Sequence, residues 1–284
     1  HAVSVTGRPW HELDRALLEC RPLIGVLTDR VHTPKAIAKR MMEYHLDKDY
    51  SMWIAEHLGN PEKEKIYKIY SIEEISEMSF TSPNCVLLMK APNSTQQRPA
   101  FGIPDTKFVL LNDRAKMITK APIRVIDLSL LELHNSRTFW DIGACTGSVS
   151  IEARRQYPHL NIQAFEVREE CKDIIRANAR LHSAPGIDLR IGNFLNLSID
   201  ENAIVDAVFI GGHGGKLKEI VRKVASHLDK LKGKIVFNSV SEESSKLFRE
   251  AVEENGLKLH SEMNITVDSN NPITILCATN KYYV

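Results

Sequence analysis

The chain has 284 residues, 43% of them hydrophobic, and 37 Lys and Arg against 36 Asp and Glu leave a formal net charge of +1. That length suits one large or two modest globular domains. The near-zero charge gives no general attraction to nucleic acid or to a membrane surface, and no run of about eighteen apolar residues is present to span a bilayer.

In chain order, Leu23–Leu27 reads as a buried strand. Thr33-Pro34 then opens a helix with proline at its first position, running to about Tyr44. Tyr50–Ala55 is a second strand, Ile72–Met78 a short helix and Cys85–Met89 a third strand. The polar, Pro-bearing segment Ala91–Pro99 reads as a linker.

Beyond it, strands expected at Thr138–Ile142, Asn161–Glu166, Asp188–Ile191, Ala207–Gly211 and Lys234–Asn238 alternate with helices at Ser148–Tyr157, Glu169–Leu181, Lys216–Leu231 and Glu242–Asn255. Such alternation implies a mainly parallel sheet covered on both faces. Two last strands, Leu257–Val267 and Ile273–Asn280, are joined by the short Asp268–Pro272 and should pair as a hairpin. The five cysteines, Cys20, Cys85, Cys145, Cys171 and Cys277, are scattered and never spaced C-x-x-C. They read as reduced thiols in a cytoplasmic protein without structural zinc. His1–Val5 does not resemble a signal peptide.

The most informative stretch is Thr138-Phe139-Trp140-Asp141-Ile142-Gly143-Ala144-Cys145-Thr146-Gly147-Ser148, a strand end, a turn of small residues and a helix start. Small residues let a ligand approach the backbone, and a helix N-terminus offers free N–H groups. The next strand ends in Glu166, an acid able to accept ribose hydroxyl protons, and the one after it in Gly192-Asn193-Phe194, where a base contact would fall. A dinucleotide fingerprint needs G-x-G-x-x-G. Here the middle glycine, which admits the pyrophosphate, is missing between Gly143 and Gly147. The pattern therefore favours S-adenosylmethionine over NAD, with a ligand-free strand-to-helix turn as the plain alternative.

Gly102–Asp105, Met117–Arg124, Asp141–Glu152, Phe209–Gly215 and Asn271–Ile273 occur in the order seen in a known group of proteins. On these residues, about 100–284 of the chain resembles the class I S-adenosylmethionine-dependent methyltransferases. More narrowly, it resembles the decarboxylating C15-methyltransferases of corrin biosynthesis. Thr28–Pro34 and Glu56–Glu62 make residues 1–92 similar to the carboxyl-terminal half of tetrapyrrole methylases of the C5-methylating type, domains often fused to the former.

The fold class implied is α/β, a Rossmann-like sheet with a terminal antiparallel hairpin over 102–284. A partial α/β tetrapyrrole methylase domain over 1–92 and a linker over 93–101 precede it. The resemblance implies methylation of a reduced tetrapyrrole (a precorrin) at C15 with loss of the ring C acetate as carbon dioxide. It further implies S-adenosyl-L-methionine as cofactor, a homotetramer, and neither nucleic acid nor membrane as partner. An RNA methyltransferase and a noncatalytic cofactor-binding scaffold are the competing readings.

Carried onto this chain, the cofactor residues are Thr119, Asp141, Gly143, Ala144, Cys145, Thr146, Gly147, Ser148, Glu166, Asn193, Phe194, Gly211 and Gly212. His213 is a candidate proton carrier or carboxylate donor. Lys120 and Arg124, one turn apart on a helix face, are candidate clamps for substrate carboxylates, with Arg114 and Lys116 as weaker ones. Gly214 and Gly215 are a candidate anion nest for the substrate. The family usually has a small residue, most often glycine, where Cys145 stands, so this side chain either crowds the methionine moiety or packs. Asn193 stands where Asp is common. The lysines and arginines from Lys216 to Lys234 read as the wet face of an amphipathic helix.

Overall fold

The computed structural model describes residues 1–69, 71–92, 94, 100–114, 117–268 and 271–281, and these fall into two compact units. One comprises His1–Pro99 with Ala179–Gly186, the other Ala100–Asn178 with Ile187–Val284. The linker expected over 93–101, the candidate Lys116 and the middle of the hairpin turn (Ser269, Asn270) lie wholly or mostly outside the described residues.

The first unit holds a five-stranded sheet. Its strands are β1 (Ala2–Ser4), β2 (Leu23–Leu27), β3 (Tyr50–Glu56), β4 (Lys65–Ile69) and β5 (Asn84–Lys90), in the order β1-β2-β5-β3-β4. Only β1 and β2 run parallel; β5 pairs antiparallel with both β2 and β3. Helices α1 (His11–Leu18), α2 (Pro34–Glu43) and α3 (Ile72–Glu77) supply Leu13, Leu17, Ile37, Met41 and Ile75 to the core beside Ile24, Met52 and Leu88. Thr33 caps α2 as its sequence requires, its hydroxyl accepting the Ala36 N–H. Strand side chains alternate between two faces. The face opposite the core is apolar too, with Leu23, Leu27, Ile66, Leu87 and Met89 all exposed.

The second unit is built on a seven-stranded sheet. Its strands are β6 (Thr138–Ile142), β7 (Asn161–Glu166), β8 (Ile187–Ile191), β9 (Ala207–Ile210), β10 (Lys234–Ser239), β11 (Leu257–Ile265) and β12 (Ile273–Asn280), ordered β11-β12-β10-β9-β6-β7-β8. The strands from β8 across to β10 are parallel, while β12 runs antiparallel to both β10 and β11, so the hairpin forms as expected. Helices α4 (Ala121–Leu130), α5 (Ser148–Gln156), α6 (Cys171–Leu181, as far as Asn178), α7 (Leu217–His227) and α8 (Glu242–Glu254) complete the unit. The central strands are apolar on both sides because both are covered. Trp140, Ile142 and Phe237 enter one core, and Phe139, Phe209 and Val236 the other.

A buried ion network ties the segment before α4 to α5. Arg124 and Glu152 are fully buried, with Nε 3.0 Å from Oε2. Arg124 Nη1 also reaches Asp105 at 2.8 Å and the Thr119 carbonyl, and Nη2 the Ile103 carbonyl. Glu152 accepts the Gly102 N–H in return. The guanidinium thus has partners on all sides, and its role is to hold Gly102–Asp105 and Thr119 against α5. It is not a clamp for a substrate carboxylate, because no part of it reaches solvent.

Removing one member of a buried pair leaves an uncompensated charge. Arg124→Met should therefore lower unfolding stability by about 3–5 kcal/mol in urea titration, with Arg124→Met/Glu152→Leu recovering most of the loss. A single substitution without measurable effect would contradict this role.

Candidate functional site

The chain leaves β6 toward β7 and β8 on one side, and β9 toward β10 on the other, so the carboxyl ends of β6 and β9 form the switch point where α/β sheets bind ligands. Two loops meet there in backbone contact. Gly143 has φ +80°, and a Cβ on it would lie 2.6 Å from the Gly212 nitrogen and 2.9 Å from its Cα. Only glycine permits that approach. The loop after β6 is also tied to β7: Gly143 and Ala144 donate to the Phe165 carbonyl at 2.8 and 3.1 Å, and Cys145 N–H to Glu166 Oε2 at 2.8 Å. Asn178 pins it from behind, donating to the Thr146 carbonyl at 2.9 Å while bonding the backbone of Val109 in both directions.

Between these loops lies a cavity of about 380 Å³, within the range of small-molecule sites. Its lining comes from three strand ends: Ile142 and Gly143; Phe165, Glu166, Val167 and Arg168; Gly192, Asn193 and Phe194. The loop after β9 and the start of α7 add Gly212, His213, Gly214, Lys216 and Ile220. Of the residues expected to meet a ligand, Gly143, Glu166, Asn193, Phe194, Gly212, His213 and Gly214 thus converge on one hollow. Gly192 of the same expected turn lines it too, and Val167, Arg168, Lys216 and Ile220 join them unexpectedly. Among these, Arg168 has a readable signal in the sequence, standing two residues beyond the recognised acid.

The remaining expected residues do not line it. Ala144, Cys145, Thr146, Gly147 and Ser148 form the loop and helix start behind the lining, with Gly211 before Gly212 and Gly215 beyond Gly214. Cys145 packs inward with Ala144, Cys171 and Ile175, so it does not crowd the hollow. Its φ of 51° lies in the left-handed region that favours glycine. Asp141 is fully buried, and its Oδ2 accepts the Ser150 N–H at 3.1 Å and Oγ–H at 2.6 Å. It caps α5 from inside the fold instead of touching a ligand. Lys120 and Thr119 precede α4; the Lys120 ammonium lies 3.6 Å from Asp105. Neither lines the hollow, and with Arg124 buried in its ion network the expected carboxylate clamp is absent there.

Electrostatics follow from these contacts. Burial alone would raise the Glu166 carboxyl, but the Arg168 guanidinium, the Arg168 backbone N–H and the Cys145 N–H together hold it below the usual carboxylate range. Asp141 is the reverse case: burial outweighs the Ser150 bonds and lifts it to about 6. His213 is lowered by burial and is neutral at pH 7. The Gly215 N–H donates to His213 Nδ1 at 3.2 Å, which assigns the ring proton to Nε2. That bond engages one N–H of the expected glycine nest, and the Lys216 N–H goes to the His213 carbonyl, leaving a weaker anion site than the glycine run implied.

Phe194 is 5% exposed, held edge-on by Phe165 at 4.9 Å and Trp140 at 6.0 Å, so it bounds the hollow as part of the core instead of offering an open stacking face. Asn193 Oδ1 accepts the Leu195 N–H at 3.0 Å in a turn, so its amide oxygen is engaged within the loop. The basic run after Lys216 is not one wet face. Lys223 donates to the carbonyls of Phe194 and Leu197 at 2.8 Å, and Lys234 is buried against Glu132 at 2.7 Å. Among the described residues, no group of His, Cys, Asp and Glu is arranged to hold a metal, and no helix is long and apolar enough to cross a membrane.

The family described as precorrin methyltransferase domain matches residues 111–278. The chain is 38% identical over 111 residues to cobalt-precorrin-6B C(15)-methyltransferase (decarboxylating) of Salmonella typhimurium, covering 39% of this chain and 56% of that protein. It is 31% identical over 240 residues to precorrin-6Y C(5,15)-methyltransferase (decarboxylating) of a Sinorhizobium species, covering 84% of this chain and 56% of that one. The chain thus spans about half the length of these relatives. Among solved structures, precorrin-6y C5,15-methyltransferase of Geobacter metallireducens matches with a TM-score of 0.57 at 33% identity, covering 65% of this chain and all of that one. The expected fold class, a class I methyltransferase sheet with a terminal hairpin, is the one this chain adopts.

Gly143→Ala must push the two loops apart. It should cost about 1–3 kcal/mol of stability as an overpacked site and abolish ligand binding in the hollow, read by thermal melting and calorimetric titration; unchanged binding would contradict the close-approach account. A rise of the Asp141 carboxyl from 3.8 to about 6 is worth roughly 3 kcal/mol. The unfolded chain loses this proton at lower pH than the folded one, so wild-type stability is eroded as pH rises from about 4 to about 6. Asp141→Asn should therefore gain on the wild type by about 2–3 kcal/mol between pH 4 and pH 7 in denaturant titrations, any constant cost of the amide cancelling in the comparison. A difference independent of pH would refute the assignment.

Proposed function

The chain belongs to the precorrin methyltransferase family, and on that premise we propose that it transfers a methyl group from S-adenosyl-L-methionine to C15 of a precorrin, with loss of the ring C acetate as carbon dioxide. The observation that carries this reading is the hollow at the β6–β9 switch point, bounded by Gly143, Glu166 and Asn193 from three successive strand ends. It is a nucleoside-shaped arrangement: a backbone floor, an acid one strand over, and an amide one strand further. The absent middle glycine of the dinucleotide fingerprint is consistent with a ligand that brings no pyrophosphate.

The sulfonium cofactor supplies an activated methyl group, which leaves binding and orientation to the protein. Glu166 would receive the ribose hydroxyls and the Asn193 amide the base. The residues behind the lining, Cys145, Thr146, Gly147 and Ser148, would act by fixing the loop and the start of α5, whose first-turn N–H groups have no intrahelical acceptor. His213 and Gly214 stand on the β9 side of the hollow, where a macrocycle carbon would have to meet the methyl group. A neutral His213 with its proton on Nε2 can donate to a substrate carbonyl or carboxylate without a fixed positive charge. Holding a nucleophilic carbon in line with a methyl group supplies on the order of 7–11 kcal/mol, so positioning alone accounts for much of such a reaction. Thr119, Lys120 and Arg124 enter only indirectly, through the segment the ion network holds.

In the same reading, residues 1–92 form the carboxyl-terminal half of a tetrapyrrole methylase domain joined through 93–101 to the methyltransferase domain over 102–284. The protein acts in the cytoplasm as a homotetramer without nucleic-acid or membrane partners. Incubation with S-adenosylmethionine and precorrin-6Y or its C5-methylated product, followed by mass spectrometry, tests the activity. The expected product has gained one methyl group and lost carbon dioxide. Methyl gain without decarboxylation would overturn the C15 assignment, and transfer to RNA instead would replace it.

A further inference from the structure

An ionised carboxylate has about four acceptor positions, and on Glu166 all are taken. Oε1 accepts the Arg168 backbone N–H at 3.0 Å and Nε–H at 2.9 Å; Oε2 accepts the Cys145 N–H at 2.8 Å and Arg168 Nη2–H at 3.1 Å. Glu166 itself is only 2% exposed, so its carboxylate has no other open side. Two of these donors belong to the backbone and move only if the loop after β6 or the turn after β7 is rebuilt. The other two belong to one guanidinium that lines the hollow and is about a third exposed. A ribose diol therefore reaches the acid only where the Arg168 fork lets go.

We propose that Arg168 sets the affinity and the diol selectivity of the nucleoside site, its guanidinium standing on Glu166 in place of the two ribose hydroxyls until a nucleoside displaces it. This rests on the reading of the hollow as the S-adenosylmethionine site. The fork is suited to the task. It presents two parallel N–H donors to the two carboxylate oxygens, the same pattern as a vicinal diol. It also keeps Glu166 ionised and aimed at the hollow, so the acid does not collapse onto another donor. The exchange then replaces a charge-assisted pair by neutral hydroxyl donors, and the part of the pair's strength that is not recovered weakens the binding of any ligand that uses Glu166.

The test compares wild type, Arg168→Gln and Arg168→Lys by calorimetric titration with S-adenosylhomocysteine and with its 2′,3′-dideoxy analogue, at low and high sodium chloride. Partly exposed pairs are worth up to about 1 kcal/mol, so Arg168→Gln should bind S-adenosylhomocysteine about three- to fivefold more tightly, with Arg168→Lys in between. The dideoxy analogue should bind all three proteins alike. Salt screens the ion pair, so wild-type affinity for S-adenosylhomocysteine should rise about twofold with added salt and that of Arg168→Gln should not change. The salt measurement on wild type stands even if a variant folds poorly. Weaker binding by Arg168→Gln, an equal gain for the dideoxy analogue, or wild-type affinity that falls with salt overturns the proposal. Binding by neither wild type nor variant at millimolar ligand instead overturns the nucleoside reading beneath it.

Discussion

Two backbones touch at the carboxyl edge of the second sheet, and the site depends on that contact. Gly143 and Gly212 approach so closely that a single methyl group would have to displace a peptide unit. The contact brings the loop after β6 and the loop after β9 into register at the place where the strand order reverses. Glu166 then closes the arrangement from the third side by accepting the Cys145 N–H. Three strand ends become one wall, and the hollow in front of them needs no side chain to hold it open. The packing beneath it is rigid for an ordinary reason: β6, β9 and β10 are buried on both faces, and Trp140, Phe165 and Phe194 interlock edge to face under the floor.

Charge is distributed with a similar division of labour. Acids and bases behind the wall are structural: Arg124 with Glu152 and Asp105, Asp141 on the start of α5, and Lys234 on Glu132. Those on the wall are few, namely Glu166 with Arg168, Lys216, and a His213 that burial keeps neutral. A site built for a cofactor of mixed charge and a polycarboxylate substrate would ordinarily be expected to show more cations. Here Arg124 is consumed inside the fold, and donors at the hollow come largely from backbone, amide and imidazole groups.

Much of this architecture is legible in the amino-acid sequence. The alternation of apolar runs with amphipathic helices places every strand of the second sheet to within a residue or two, and the Asp141–Glu152 stretch with Glu166 and Asn193 marks the sheet edge where the hollow lies. What the sequence hides is which side of the wall each residue faces. Arg124 and Lys120 read as a cationic helix face because helical spacing says nothing of what lies opposite, and Glu152, which neutralises Arg124, is 28 positions away. Lys234 reads as solvated for the same reason. The glycine run after β9 suggests a nest, but the His213 ring turns back to take the Gly215 N–H. In the first unit, α1 and β4 carry little signal: α1 is short and rich in charge, and the Lys65–Ile69 alternation is weak on an edge strand. Cys145 has a positive φ, a conformation that favours glycine.

In the proposed function this hollow holds a methionine nucleoside with its ribose on Glu166. A crystal structure of the chain with S-adenosylhomocysteine tests it most directly. Ligand density is expected against Gly143, with both ribose hydroxyls within hydrogen-bond distance of Glu166, the adenine beside Asn193, and the Arg168 guanidinium swung off the carboxylate. Density lodged elsewhere on the molecule, with Glu166 still closed by Arg168, would contradict it.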